Sequence, residues 1–206
     1  VAFPSAHLDF DRELFKIFGD TSQFGAAFIF FFAVIDPIGT IPVFIAVTRQ
    51  FDEHTKRGIA VKATLAAAGI LLFFVVAGEV ILTAMAIPLS AFQIAGGIVL
   101  FLFALSMIFG ESKPEQEVKL AVSGSETAIF PLAVPSIAGP GAILAAVLMT
   151  ENARFGLIEQ AQTAAVILAV LLIVLLLMLG ASWIYRFIGS SGASIVSRVM
   201  GLILAS

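Results

Sequence analysis

Apolar residues arrive along this chain in long runs parted by short polar stretches, and about 20 consecutive apolar residues are what a helix needs to cross a hydrocarbon core. The runs predict spans over residues 22–48, 59–84, 89–109, 128–150 and 161–184, with a sixth that begins near Ile195 and reads as cut short. Before them, residues 1–20 place Phe10, Leu14, Ile17 and Phe18 on one helical face and Asp11, Arg12, Glu13 and Lys16 elsewhere. That pattern predicts a short helix lying in the membrane interface, with a disordered leader as the alternative. A polar turn from Arg49 to Arg57 precedes the second span, and Asp52 to Lys56 are placed to cap it. Glu79, about two turns from the Ile87-Pro88 break, is expected to snorkel to the interface, a proton relay being the alternative. In the third span, Gly96 and Gly97 allow another helix to approach closely, or could serve a dimer face. The loop from Gly110 to Thr127 carries mixed charge and reads as solvated. Span five is the greasiest, expected to face lipid or to be buried all round, and Trp183 and Tyr185 close it as interfacial aromatics. A Gly/Ser turn, Gly189 to Ser194, leads to span six.

Composition agrees with this pattern. Of 206 residues 60% are hydrophobic and only 12% charged, about half the usual share for a soluble domain, and the mean hydropathy is +1.11. The fold class is therefore all-α and polytopic, a single transmembrane domain partnered by the lipid bilayer; no alternating ten-residue segments suggest a barrel. The net charge of −3 gives no reason to expect nucleic acid. Without Cys there are no disulfides or thiolate sites, and His7 and His54 are too far apart for a metal cluster, so no metal or cofactor is expected. No span carries His or Cys, and no paired acids fall at helical spacing, so the chain is not expected to be an enzyme. No basic leader with a cleavage site opens the chain, which predicts no signal peptide.

Two spans carry residues a membrane helix tolerates poorly. Span one holds Asp36, its only charge, among Pro37, Gly39 and Pro42; span four holds Pro131, Pro135, Ser136, Gly139, Pro140 and Gly141. Proline donates no helical hydrogen bond and crowds the carbonyl one turn earlier. Both spans are expected to be discontinuous. The breaks also correspond: Pro37-Ile38-Gly39 falls opposite Gly139-Pro140-Gly141, 102 positions on, and Thr48 opposite Thr150 by the same offset. Gly97-Ile98-Val99-Leu100 resembles Gly201-Leu202-Ile203-Leu204, 104 positions on. The chain reads as one three-span unit used twice, residues 21–110 and 128–206, joined by a cytoplasmic loop at 111–127. Because three is odd, the copies enter the membrane from opposite sides, and inverted repeats with matching broken helices are the pattern of secondary transporters. Eight Lys and Arg lie on one side and three on the other, which puts both termini on the extracytoplasmic side.

At such breaks, half-helix N-termini near Thr40 and Ala142 would present N–H groups to an anionic group. The carbonyl ends near Ile35 and Ile137, helped by Asp36, would attract a cation. A small zwitterion such as a free amino acid offers both charges, and small residues leave room for it. The candidate binding residues are Asp36, Pro37, Ile38, Gly39, Thr40, Pro42, Ser136, Ala138, Gly139, Pro140 and Gly141. For Asp36 three readings stand: a cap on its own helix break, contact with a substrate amine, or coupling to a proton or cation.

Asp36-Pro37-Ile38-Gly39 with Pro42, Ile94-Ala95-Gly96-Gly97, the block from Pro131 to Gly141, and Ser197-Arg198-Val199-Met200-Gly201 closely resemble the MarC family of six-span membrane proteins. The resemblance covers residues 21–206. It implies a six-span fold in the cell (inner) membrane and transport of small neutral amino acids such as glycine and alanine. The alternatives are a structural or signalling membrane protein, a channel, or an exporter of another small polar solute. Coupling ion, direction and oligomeric state, a homodimer included, stay open.

Overall fold

A computed structural model describes residues 24–109, 128–150 and 156–206. The expected interfacial helix at 1–20 and the loop at 111–127 lie outside the described residues. Everything regular among those described is helical: α1 (24–35), α2 (Thr40–Thr48), α3 (Glu53–Ala84), α4 (Leu89–Phe109), α5 (Ala128–Ile137), α6 (Pro140–Leu148), α7 (Leu157–Leu179) and α8 (Ala181–Ala205). Four helical stretches are long and apolar enough to cross a membrane, and six if each bent pair is one crossing. α5 is a wide coil, with Phe130 and Val134 extended and the bonds to Pro131 and Pro135 cis; it meets α6 at 54°.

The runs placed the helices, but capping groups placed their ends. α3 starts at Glu53, six residues before the expected 59, and absorbs half of the polar turn. The cause is Asp52, whose carboxylate accepts the N–H groups of His54 (3.0 Å) and Thr55 (3.3 Å) and the Thr55 hydroxyl (2.6 Å). A salt bridge from Lys56 to Glu53 (2.8 Å) follows on the same turn. α7 likewise starts at Leu157, where Glu159 reaches back to accept the Gly156 N–H (2.7 Å), and stops at Gly180. Trp183 and Tyr185 therefore belong to α8, not to the end of span five. α8 is bent by 91° between Ala181–Phe187 and Ser191–Ala205, and Gly189 (φ 64°) turns the chain there, at the start of the expected Gly/Ser turn.

The cap on α3 carries a pH test. The Thr55 hydroxyl, then the Thr55 and His54 N–H groups, hold the Asp52 carboxyl below its ordinary value of 3.8. A carboxyl lowered on folding stabilises above its unfolded value and loses that stabilisation as pH falls through the folded one. Protection of the amides in the first turn of α3, relative to their unfolded exchange rates at each pH, should fall as pH drops below about 3.8, and Asp52→Asn should remove that dependence. Identical profiles for the two proteins would refute the capping role.

Packing is asymmetric around each helix. α7 buries Thr163, Val166, Ile167, Val170, Val174 and Met178 and exposes Leu168, Leu172, Leu176 and Leu179, so it is neither buried all round nor wholly lipid-facing. α3 buries Ala60, Ala63 and Ala67 on one face, and at its far end Gly78 abuts Val147 of α6. Small residues let helices approach where lipid provides no hydrophobic drive. The glycine pair of α4 divides: a Cβ on Gly96 would lie 3.0 Å from Leu144 of α6, whereas Gly97 faces open space. Glu79 is half-buried. α3 packs on α7, α5 and α6, and α4 most extensively on α8. Gly201 of α8 makes that last contact possible, since a Cβ there would lie 2.8 Å from Met107 Cβ and 3.0 Å from the Ala104 carbonyl oxygen.

Candidate functional site

Helix α1 stops at residue 35 because Pro37 has no N–H to give the Ala33 carbonyl. The chain then turns through Asp36, whose φ of 50° lies in the left-handed region that Asp tolerates better than most residues. Its backbone carbonyl accepts both the N–H and the hydroxyl of Thr40, each at 3.2 Å. Its side chain does more. Oδ1 accepts the Gly39 N–H at 3.0 Å, and Oδ2 accepts the hydroxyl of Ser197, from the middle of α8, at 2.5 Å. The carboxylate thus caps the head of α2 and ties it to α8, the capping geometry considered for Asp36 above. Asp36, Thr40 and Ser197 are fully buried, and no ion pair to Asp36 occurs among the described residues.

The second interruption is built differently. The Ala138 N–H reaches the Ala133 carbonyl (2.8 Å), Gly139 is extended (φ −75°, ψ 167°), and Pro140 opens α6. The first helical bond of α6 runs from the Ile143 N–H to the Gly139 carbonyl (3.0 Å). The N–H groups of Gly141 and Ala142 precede it, and no side chain caps them. Both residues are buried. The turn at 36–39 therefore carries a carboxylate, and the start of α6 uncapped N–H groups.

The two meet. Ser136 Oγ donates to Thr40 Oγ1 at 3.4 Å, between buried side chains 96 residues apart. A Cβ on Gly141 would lie 3.1 Å from Val34 Cγ1, two residues before Asp36. Of the residues expected to bind, Asp36, Gly39, Thr40 and Ser136 are joined by hydrogen bonds, and Gly141 packs beside them. Pro37 and Ala138 are buried, Ile38, Pro42 and Gly139 are half-buried, and Pro140 is exposed. The room expected at the glycines is filled by the protein itself. A Cβ on Gly39 would lie 2.1 Å from Asp36 Oδ2 and 2.7 Å from Ser197 Oγ, and one on Gly139 would lie 2.8 Å from the Pro135 carbonyl oxygen.

Ser197 was not among the expected site residues. Its place in the Ser197–Gly201 block that resembles the family was the available signal, but α8 carries other serines and Arg198 beside it, and nothing in the chain's order links position 197 to position 36. Among the described residues, no group of three His, Cys, Asp or Glu side chains could hold a metal ion.

The family described as MarC family integral membrane protein matches residues 21–206. A UPF0056 membrane protein of Methanocaldococcus jannaschii is 39% identical over 194 residues, 91% of this chain and 92% of that protein. One from Archaeoglobus fulgidus is 33% identical, covering 92% of this chain and 90% of its own length. The UPF0056 inner membrane protein YhgN of Escherichia coli is 32% identical, covering 87% and 88%. No solved structure matches the chain.

Proposed function

The chain belongs to the MarC family of integral membrane proteins, and from that premise we propose that it is a secondary transporter of small neutral amino acids, of the size of glycine or alanine. The observation that carries this reading is the meeting of the two interruptions. A buried carboxylate on one and uncapped N–H groups on the other suit the ammonium and carboxylate of one small zwitterion. Asp36 would receive the ammonium, with Thr40 and Ser136 beside it, and the Gly141 and Ala142 N–H groups would receive the carboxylate.

The packing partners support an inverted repeat. Spans two and five pack as α3 on α7, and three and six as α4 on α8. Each pair joins positions equivalent in the two copies, as a pseudo-two-fold axis in the membrane plane would require. The interruptions of spans one and four would then be the discontinuous helices of the two copies, and alternating access a rocking of one copy against the other. The Lys and Arg bias supports both termini on the extracytoplasmic side of the cell membrane, and the E. coli relative named an inner membrane protein supports that membrane. A proton or cation at Asp36 is the candidate coupling partner, Gly97 the candidate dimer face, and no catalysis is proposed.

Counterflow of labelled alanine in liposomes tests the reading: saturable, stereoselective exchange is expected, with and without a pH gradient. Gly141→Ala should lower exchange with the protein still folded, because its single added methyl would lie 3.1 Å from Val34 Cγ1, beside the N–H groups assigned to the carboxylate. Unchanged exchange in that variant would sink the assignment. A second reading draws on the filled space at Gly39: the interruptions are self-satisfied kinks of a structural or signalling membrane protein. Absence of exchange with any solute would favour it.

A further inference from the structure

A cavity of about 600 Å³ lies away from the interruptions, between the start of α1, the end of α6 and the first turns of α7. Ala27 and Phe30, its deepest residues on α1, precede Asp36 by nine and six positions, roughly 14 and 9 Å along a helix. Its volume falls in the range of small-molecule sites, mostly apolar with a few polar groups, and far exceeds what glycine or alanine needs.

Among the described lining residues, the polar side chains lie on α7. Among the described residues that line it, Glu159 is the only ionisable one, and it carries a negative charge. One oxygen of its carboxylate accepts the Gly156 N–H at 2.7 Å, and the other has no partner among the described residues. The Gln162 side chain, one turn on, also has none there. Thr163 closes the floor, its hydroxyl donating to the Met149 carbonyl at 3.3 Å. Opposite stand Phe24 and Phe30 of α1, whose ring faces attract a cation. Ala27, Leu148 and Val166 offer apolar wall.

We propose that this cavity binds an amphiphilic ammonium, a protonated amine joined to an apolar body. The amine is held by Glu159 and Gln162, and the body lies against the phenylalanines. An anion would meet the Glu159 carboxylate, and an uncharged apolar molecule would offer nothing to its second oxygen or to Gln162. The same chemistry occurs in soluble amines and in the headgroup of phosphatidylethanolamine. The site stands independently of the transport reading.

The test is calorimetric titration of phenethylammonium into the full chain in nanodiscs of phosphatidylglycerol. Saturable binding is expected, with none for phenylacetate. Glu159→Gln keeps an oxygen for the Gly156 N–H and loses the charge, and should weaken binding about tenfold or more. Ala26→Phe fills the cavity without touching the carboxylate and should abolish binding. If phosphatidylethanolamine in the nanodisc competes, the occupant is the lipid headgroup; if it does not, the occupant is a soluble amine. Unchanged affinity in either variant, or phenethyl alcohol binding as tightly as the ammonium, overturns the proposal.

Discussion

Gly39→Ala should cost the protein roughly 3 kcal/mol or more and disperse the site, although alanine is the best helix former and Gly39 already has helical torsions (φ −64°, ψ −22°). The reason is space. The added methyl would sit 2.1 Å from Asp36 Oδ2, 2.7 Å from its Cγ and 2.7 Å from Ser197 Oγ. The carboxylate cannot retreat freely, because it is held by the Gly39 N–H on one oxygen and by Ser197 on the other. Moving it leaves polar groups unsatisfied in a fully buried place, at about 1–3 kcal/mol each. Gly97→Ala is the control, since nothing lies within 4 Å of a Cβ there. Thermal unfolding of the purified proteins in detergent, followed by helical circular dichroism, should show a large drop for Gly39→Ala and none for Gly97→Ala. Equal melting of Gly39→Ala and the unmodified chain would remove Asp36 from the centre of the site.

Substitutions of Asp36 itself should separate capping from charge. Asp36→Asn keeps an amide oxygen for the Gly39 N–H and tolerates the positive φ, so the fold should survive. If the carboxylate meets an ammonium, alanine counterflow should fall about tenfold or more in this variant, the worth of a hydrogen bond between charged groups. Asp36→Leu should instead fail as a folded protein. It strands the buried Gly39 N–H and forces a bulky residue to φ 50°, together roughly 2–5 kcal/mol. A folded Asp36→Asn protein with undiminished counterflow would leave Asp36 as a cap only and take the ammonium away from it.

How far the chain could be read in advance differs from element to element. α4 matched its expected range because Ile87-Pro88 and the polar residues after Phe109 bound a run with one conformation open to it in lipid. α3 and α7 did not match, because Asp52 and Glu159 fold back onto N–H groups of the turns beside them and extend the helices outward. Hydropathy does not register such bonds. Asp36, Gly39, Thr40 and Ser136 could be picked out as polar or flexible residues in apolar surroundings. The absence of space at Gly39 could not, since it arises from the side chains of Asp36 and Ser197.

Sequence by itself determined that this is an all-helical integral membrane protein of the MarC family. A backbone with no water to bond must close its hydrogen bonds within each span, and long apolar runs leave little other choice. Only the tertiary structure decided that the Gly39 N–H at the head of α2 is capped by Asp36 while the first N–H groups of α6 are not. It also brought Ser197 onto Asp36 across 161 residues and opened a cavity beside Glu159. Those outcomes depend on how helices dock, and docking turns on the shapes of facing surfaces that no single stretch of chain contains.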